Sequence, residues 1–213
     1  SALFGNALVR VPLVKSANIH QKDALLYDWN KVIESQNCNY VLGNPPFKGA
    51  RLMTAAQKTS NLAALHGVNG ANNLDFVAGW YVKTARYLNE NAKAALVSTN
   101  SITQGEQVGL LWSWMLANSV RIHFAHRTFR WKNEASGEAA VDCVIIGFAK
   151  TEPLARRLFD YAHTTDEPVE SSATNINPYL VDADNILLAK RTKPLDPSVK
   201  WTSARCQMTI TPY

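Results

Sequence analysis

Tyr40-Val41-Leu42-Gly43-Asn44-Pro45-Pro46-Phe47 is the stretch that decides the fold. A short apolar run ends on a glycine, an asparagine and two prolines, so a strand stops hard in a turn. In an open α/β sheet, ligands bind beyond the carboxyl ends of the strands, which places this turn where a site is expected.

Each residue type in the turn has a chemical use. An exocyclic amine conjugated to a ring is a poor nucleophile, because its lone pair is delocalised. The side-chain oxygen of Asn44 and the backbone carbonyl of Pro45 can both accept hydrogen bonds from such an NH2 group. Two acceptors in tetrahedral positions draw the nitrogen toward sp3 geometry and turn its lone pair toward an electrophilic methyl group. Pro45 and Pro46 remove backbone donors and stiffen the turn. Phe47 can stack on a flat base, a contact of roughly 1–3 kcal/mol. The same residues also suit a plain Asn-Pro turn with Phe47 filling the core, and both readings stand on sequence alone.

Working outward, strand-like and helix-like segments alternate. Residues 17–20 read as a short strand leading into Gln21-Lys22-Asp23-Ala24-Leu25. Residues 48–73 read as a long polar loop with one helical turn, a length that usually marks a lid or binding loop. Leu74, Val77, Trp80, Tyr81, Ala85 and Leu88 share a helical face. Residues 94–98 read as a buried strand, 105–118 as a helix, 121–125 as a strand and 141–148 as a strong strand. The alternation predicts an open α/β sheet, and the last two strands, with no helix between them, predict an antiparallel edge hairpin.

The 213 residues are 46% hydrophobic and 18% charged, the balance of an ordinary globular chain. No apolar run approaches the ~18 residues of a membrane span, and the N-terminus lacks a signal-peptide pattern. Cys38, Cys143 and Cys206 are widely spaced and match no metal-ligand pattern, which suits free thiols in a reducing cytoplasm and predicts no metal. The net charge of +5 permits a polyanionic partner without requiring one.

Further motifs carry a family resemblance. Besides Asn44-Pro45-Pro46-Phe47 there are Leu74-Asp75-Phe76-Val77, Ser98-Thr99-Asn100-Ser101-Ile102-Thr103-Gln104-Gly105-Glu106-Gln107, Phe124-Ala125-His126-Arg127-Thr128-Phe129 and Val144-Ile145-Ile146-Gly147-Phe148. In that order they resemble the MmeI-like DNA methyltransferases, restriction-modification enzymes that methylate adenine N6 with S-adenosyl-L-methionine. The resemblance covers roughly residues 9–193 and implies a partial Rossmann-like methyltransferase sheet.

By resemblance, Asn44 to Phe47 is the catalytic loop, with Asn44 also against the cofactor. Asp23 and Ala24, after an early strand, match the position that holds the cofactor adenine. A helix N-cap before Ala24-Leu25-Leu26 is the other role open to Asp23. Phe129 matches a second aromatic that holds a flipped base, with Trp131 the neighbouring candidate; either also suits a core. Arg127, Arg130 and Lys132 make a basic setting for them. Lys48, Arg51 and Lys58 are open to phosphate contact or to plain solvation. His126 reads as structural or DNA-facing, because direct methyl transfer to an amine needs no strong base. The resemblance implies double-stranded DNA as partner and base flipping as the route to a buried N6.

A whole enzyme of this kind has a Gly-rich turn after its first strand, and only Gly5 is available near the start. The expectation is therefore a fragment lacking its first two strands and deficient in cofactor binding unless a missing N-terminal part supplies them. Residues 1–150 read as the partial catalytic domain and 151–174, punctuated by prolines, as a linker. Residues 175–213 read as the truncated start of a target-recognition domain. From about residue 200 the tail departs from the family, and a shift of reading frame would explain it. The alternatives are a non-catalytic DNA-binding remnant, and an enzyme that methylates protein glutamine or ribosomal-RNA guanine through the same tetrapeptide.

Overall fold

The computed structural model describes residues 18–131, 141–163 and 167–187. The strands β1 (Tyr40–Gly43), β2 (Lys93–Thr99), β3 (Arg121–Trp131), β4 (Val141–Ala149), β5 (Arg156–Asp160) and β6 (Val169–Ala173) form one sheet in the order β1-β2-β4-β3-β5-β6. β1 pairs with β2, and β3 with β5, in parallel; β4 is antiparallel to both β2 and β3. So β1, β2, β3 and β5 run the same way, and their carboxyl ends share one edge. The fold is α/β, and the expected antiparallel pair forms as β3 and β4, but inside the sheet and not as an edge hairpin: β4 is inserted beside β2, and β5 and β6 extend the sheet beyond β3.

The helices are α1 (Ala55–Ala64), α2 (Phe76–Tyr87) and α3 (Gly105–Ala117). α2 lies where the apolar period placed it: Val77, Tyr81 and Ala85 are buried, and Leu74 and Leu88 just outside it are buried too. Tyr81 stacks on Phe148 of β4 at 5.5 Å and meets Trp112 of α3 edge-on at 6.1 Å. Aromatic pairs of this kind add about 0.5–1.5 kcal/mol beyond burial. Alternate residues Ala94, Leu96 and Ser98 of β2 face that core, and the Ser98 hydroxyl lies 3.0 Å from the Tyr81 hydroxyl. Among the described residues no helix is long and apolar enough to cross a membrane.

Four further expectations need correction. The segment 48–73 is not a loop with one turn, because α1 fills its middle. Thr54 caps the Gln57 N–H and the Gln57 side chain returns to the Thr54 N–H, a closed capping box. Residues 18–20 form no strand, so Asp23 opens a turn instead of closing a strand. β3 runs to Trp131, well past residue 125, because two register shifts against β4 break its alternation and hide its length in the sequence. The stretch 151–174 is not a bare linker: it supplies β5 and β6, the latter an exposed edge strand held by backbone pairing to β5. Gly5, Lys132, Cys206 and the aberrant tail lie outside the described residues.

Candidate functional site

β1 ends at Gly43, where a Cβ would come within 3.1 Å of Leu96 on β2, so the chain turns off the sheet at close quarters. The following residues alternate: Asn44 is exposed, Pro45 buried, Pro46 exposed and Phe47 half-buried. Burial of the Pro45 ring anchors the turn while Asn44 projects to solvent. Among the described residues, neither the Asn44 side chain nor the Pro45 carbonyl has a hydrogen-bond partner. Both acceptors are open, at the carboxyl edge of the sheet.

The loop beyond this turn is gripped from α2. The Phe76 N–H donates to the Lys48 carbonyl at 2.9 Å, and the Ala50 N–H donates to Asp75 Oδ1 at 2.8 Å. The other oxygen of Asp75 accepts from the Ser101 hydroxyl at 2.9 Å, in the 3₁₀ turn Asn100–Thr103 that follows β2. The Asp75 N–H donates to Gln107 of α3 at 3.1 Å. Lys48 itself is exposed.

Asp23 behaves as the cap of a turn. Its Oδ1 accepts from the Leu25 N–H at 2.9 Å, its carbonyl from the Leu26 and Tyr27 N–H groups, and its Oδ2 from Ser60 of α1 at 2.6 Å. The carboxylate is still exposed and retains acceptor capacity, since two oxygens offer about four lone-pair sites. Lys83 of α2 fastens this segment by donating to the Leu25 and Tyr27 carbonyls while lying 5.3 Å over the Trp29 ring. Burial lowers the Lys83 pKa, and Asp23 and Asp28 work against that shift. Leu25, Asp28, Trp29, Lys83, Arg86 and Tyr87 line a cleft of about 300 Å³ here.

At the far side of the carboxyl edge, Phe129 lies on β3 with its ring 5.4 Å from Tyr161 and 6.2 Å from Trp131, which is 42% exposed. Arg127 pairs with Asp160 at 2.8 Å, so its guanidinium already has one anionic partner. Thr103, Gln104, Arg127, Thr128, Asp160 and Tyr161 line a polar cleft of about 340 Å³. The structure thus groups Phe129, Trp131 and Arg127 on β3 and holds Asn44 to Lys48 just beyond the end of β1, with β2 and β4 between the two strands. Sequence reasoning missed Asp160 and Tyr161, which lie in the stretch taken for a linker.

A family model described as "MmeI, DNA-methyltransferase domain" matches residues 2–160. The chain belongs to the MmeI DNA-methyltransferase family. It is 37% identical over 188 residues to DNA methyltransferase A of Bacillus subtilis (strain 168), covering 87% of this chain and 21% of that protein. The structure of the type IIL restriction-modification enzyme MmeI in complex with DNA superposes with a TM-score of 0.84 at 47% identity, covering 91% of this chain and 26% of MmeI. The chain thus spans about a quarter or less of the length of each of these two relatives.

Proposed function

We propose that this chain carries the target-base part of a site-specific DNA methyltransferase that moves a methyl group from S-adenosylmethionine to adenine N6 in duplex DNA. The observation that carries the reading is the pair of open acceptors at Asn44 and Pro45 on the carboxyl edge. A flipped adenine placed there donates both N6 hydrogens, one to each oxygen, and its nitrogen lone pair is left facing away from them. Alignment of that lone pair, more than any proton transfer, is what this chain contributes to the rate. The proton on N6 leaves after transfer, so direct transfer to the amine calls for no strong base.

Asp23 and Ala24 suit the purine end of S-adenosylmethionine. The exposed carboxylate has acceptor sites to spare for an amino group, and among the described residues the Ala24 N–H has no partner. When bound, the cofactor supplies an electrophilic methyl on a sulfonium centre. Phe47 and Phe129 would stack on the everted base, and Lys48 and Arg127 would meet the flanking phosphates. Arg127 can do so only by sharing or leaving Asp160.

The test is transfer of tritiated methyl from S-adenosylmethionine to unmethylated bacterial DNA, followed by nucleoside digestion. It is run on the chain alone and with the remaining length of an MmeI-family relative supplied as a second polypeptide. Label in N6-methyl-2′-deoxyadenosine, lost in Asn44→Ala, supports the reading. Label in ribosomal RNA or in protein glutamine, or DNA retention in a gel with no label incorporated, refutes it.

A further inference from the structure

Asp75 occupies the N-cap of α2 with φ −63° and ψ 159°. From that position an aspartate ordinarily turns its carboxylate onto the second or third N–H of its own helix. Asp75 does not: its side chain makes no capping bond. Other cap residues of this chain do cap their own turns, Asp28 through the Asn30 N–H and Thr54 through the Gln57 N–H. A helix start left uncapped, with an acidic residue in place to cap it, signals that the carboxylate serves something else.

What it serves is the meeting of two loops at the carboxyl edge. One oxygen takes the Ala50 N–H of the loop that follows Asn44–Phe47, and the other takes the Ser101 hydroxyl of the turn that follows β2. Ser101 is in turn 2.8 Å from the Thr99 hydroxyl, at the last residue of β2. Beside Asp75, the Phe76 N–H holds the Lys48 carbonyl. Consecutive residues at the head of one helix thus grip the loop at Lys48 and Ala50. Between the buried Pro45 and these two grips the backbone has little slack.

We propose that Asp75 is a positioning residue for methyl transfer, clamping the loop after Asn44–Phe47 to the end of β2 and so fixing the two acceptor oxygens. The clamp touches neither base nor cofactor; it acts through the loop. Its catalytic consequence rests on the function proposed above. Its mechanical half does not.

Two readouts separate these halves in Asp75→Ala and Asp75→Asn. Amide hydrogen exchange at Ala50 rises by roughly tenfold or more in Asp75→Ala, the loss expected when a bond to a charged acceptor disappears. Exchange in the interior of α2 stays as in the wild type. In the methyl-transfer assay kcat falls by roughly tenfold to a hundredfold, as for a displacement of about an ångström in a reacting group, while KM for DNA moves by less than about threefold. Asp75→Asn keeps one acceptor for Ala50 and offers a donor to Ser101, so it recovers most of both effects. Ser101→Ala, which removes one strand of the clamp and keeps the charge, gives a smaller change in the same direction and serves if Asp75→Ala fails to fold. Unchanged exchange at Ala50 overturns the clamp. Faster exchange with kcat unchanged overturns its role in positioning. A wild-type protein that labels no DNA overturns the functional reading instead, and Ala50 exchange still decides the clamp.

Discussion

The Tyr161 hydroxyl lies 2.8 Å from Nδ1 of His126, joining the end of β5 to the middle of β3. The same imidazole stacks on Phe159 at 4.3 Å and 5°, and the Tyr161 ring leans on Phe129 at 5.4 Å. His126 is therefore the middle of an aromatic ladder that ends at the residue proposed to hold the base. Its ring nitrogen braces Tyr161.

Burial lowers the His126 pKa below its ordinary 6.5, and burial does the same at His123. The sign follows: below 6.5 the unfolded chain takes up a proton that the folded one refuses, so acid favours unfolding. Thermal stability is expected to be level above pH about 6.5 and to decline as pH falls through the range just below it. His126→Phe should flatten part of that decline, His123 accounting for the rest. Melting temperatures from pH 5 to 7.5 check this; a wild-type protein that gains stability on acidification through this range would contradict it.

Phe129→Ala should weaken binding of duplex DNA carrying an unpaired or mismatched target base by about 1–3 kcal/mol, the worth of one stacked base. Tyr161→Phe, which keeps the ring beside Phe129 and removes the hydroxyl, should cost less. Fluorescence anisotropy on the two variants ranks them, and equal affinities for wild type and Phe129→Ala would remove the aromatic from the site.

Asn44 is exposed and unbonded among the described residues, so Asn44→Ala should leave stability within about 0.5 kcal/mol of wild type. Methyl transfer, in contrast, should drop by about 10²–10³-fold, the usual loss when one preorganised hydrogen-bonding group is deleted from a reacting centre. A chemical melt alongside the transfer assay distinguishes this from simple unfolding.

A Cβ on Gly147 would meet Phe124 at 2.0 Å, deep in the pairing of β4 with β3. Gly147→Ala should therefore cost about 1–3 kcal/mol through overpacking, read as a lower denaturation midpoint at unchanged slope. The paired substitution Phe124→Leu with Gly147→Ala should regain part of the loss.

The apolar elements were legible in the sequence because burial imposes a period. Val77, Tyr81 and Ala85 announce α2, and the Val144-Ile145-Ile146 run announces β4. α1 was not legible in that way, since Ser60, Asn61 and Ala64 are its buried residues and only the Thr54 and Gln57 capping pair marks it. β6, Val-Glu-Ser-Ser-Ala, is mostly exposed and owes its existence to backbone pairing, which leaves no trace in side-chain hydropathy. The tetrapeptide at Asn44 stood out because its chemistry is local. The partners of Asp75 and His126 did not, because Ala50, Ser101, Gln107 and Tyr161 reach them only through the folded chain.

The register of β1 has a kinetic corollary. Tyr40 pairs with Lys93, about fifty residues along the chain, whereas β3 and β4 are neighbours in sequence and zip together across a short connection. Closing the longer loop carries the larger entropic toll, so the hairpin nucleates and β1 docks late. In a pulse-labelling refolding experiment the Ile146 amide should acquire protection before that of Val41. The turn at Asn44 is then among the last parts of the molecule to take shape, and an incompletely folded chain would be well ordered through its sheet yet chemically blank.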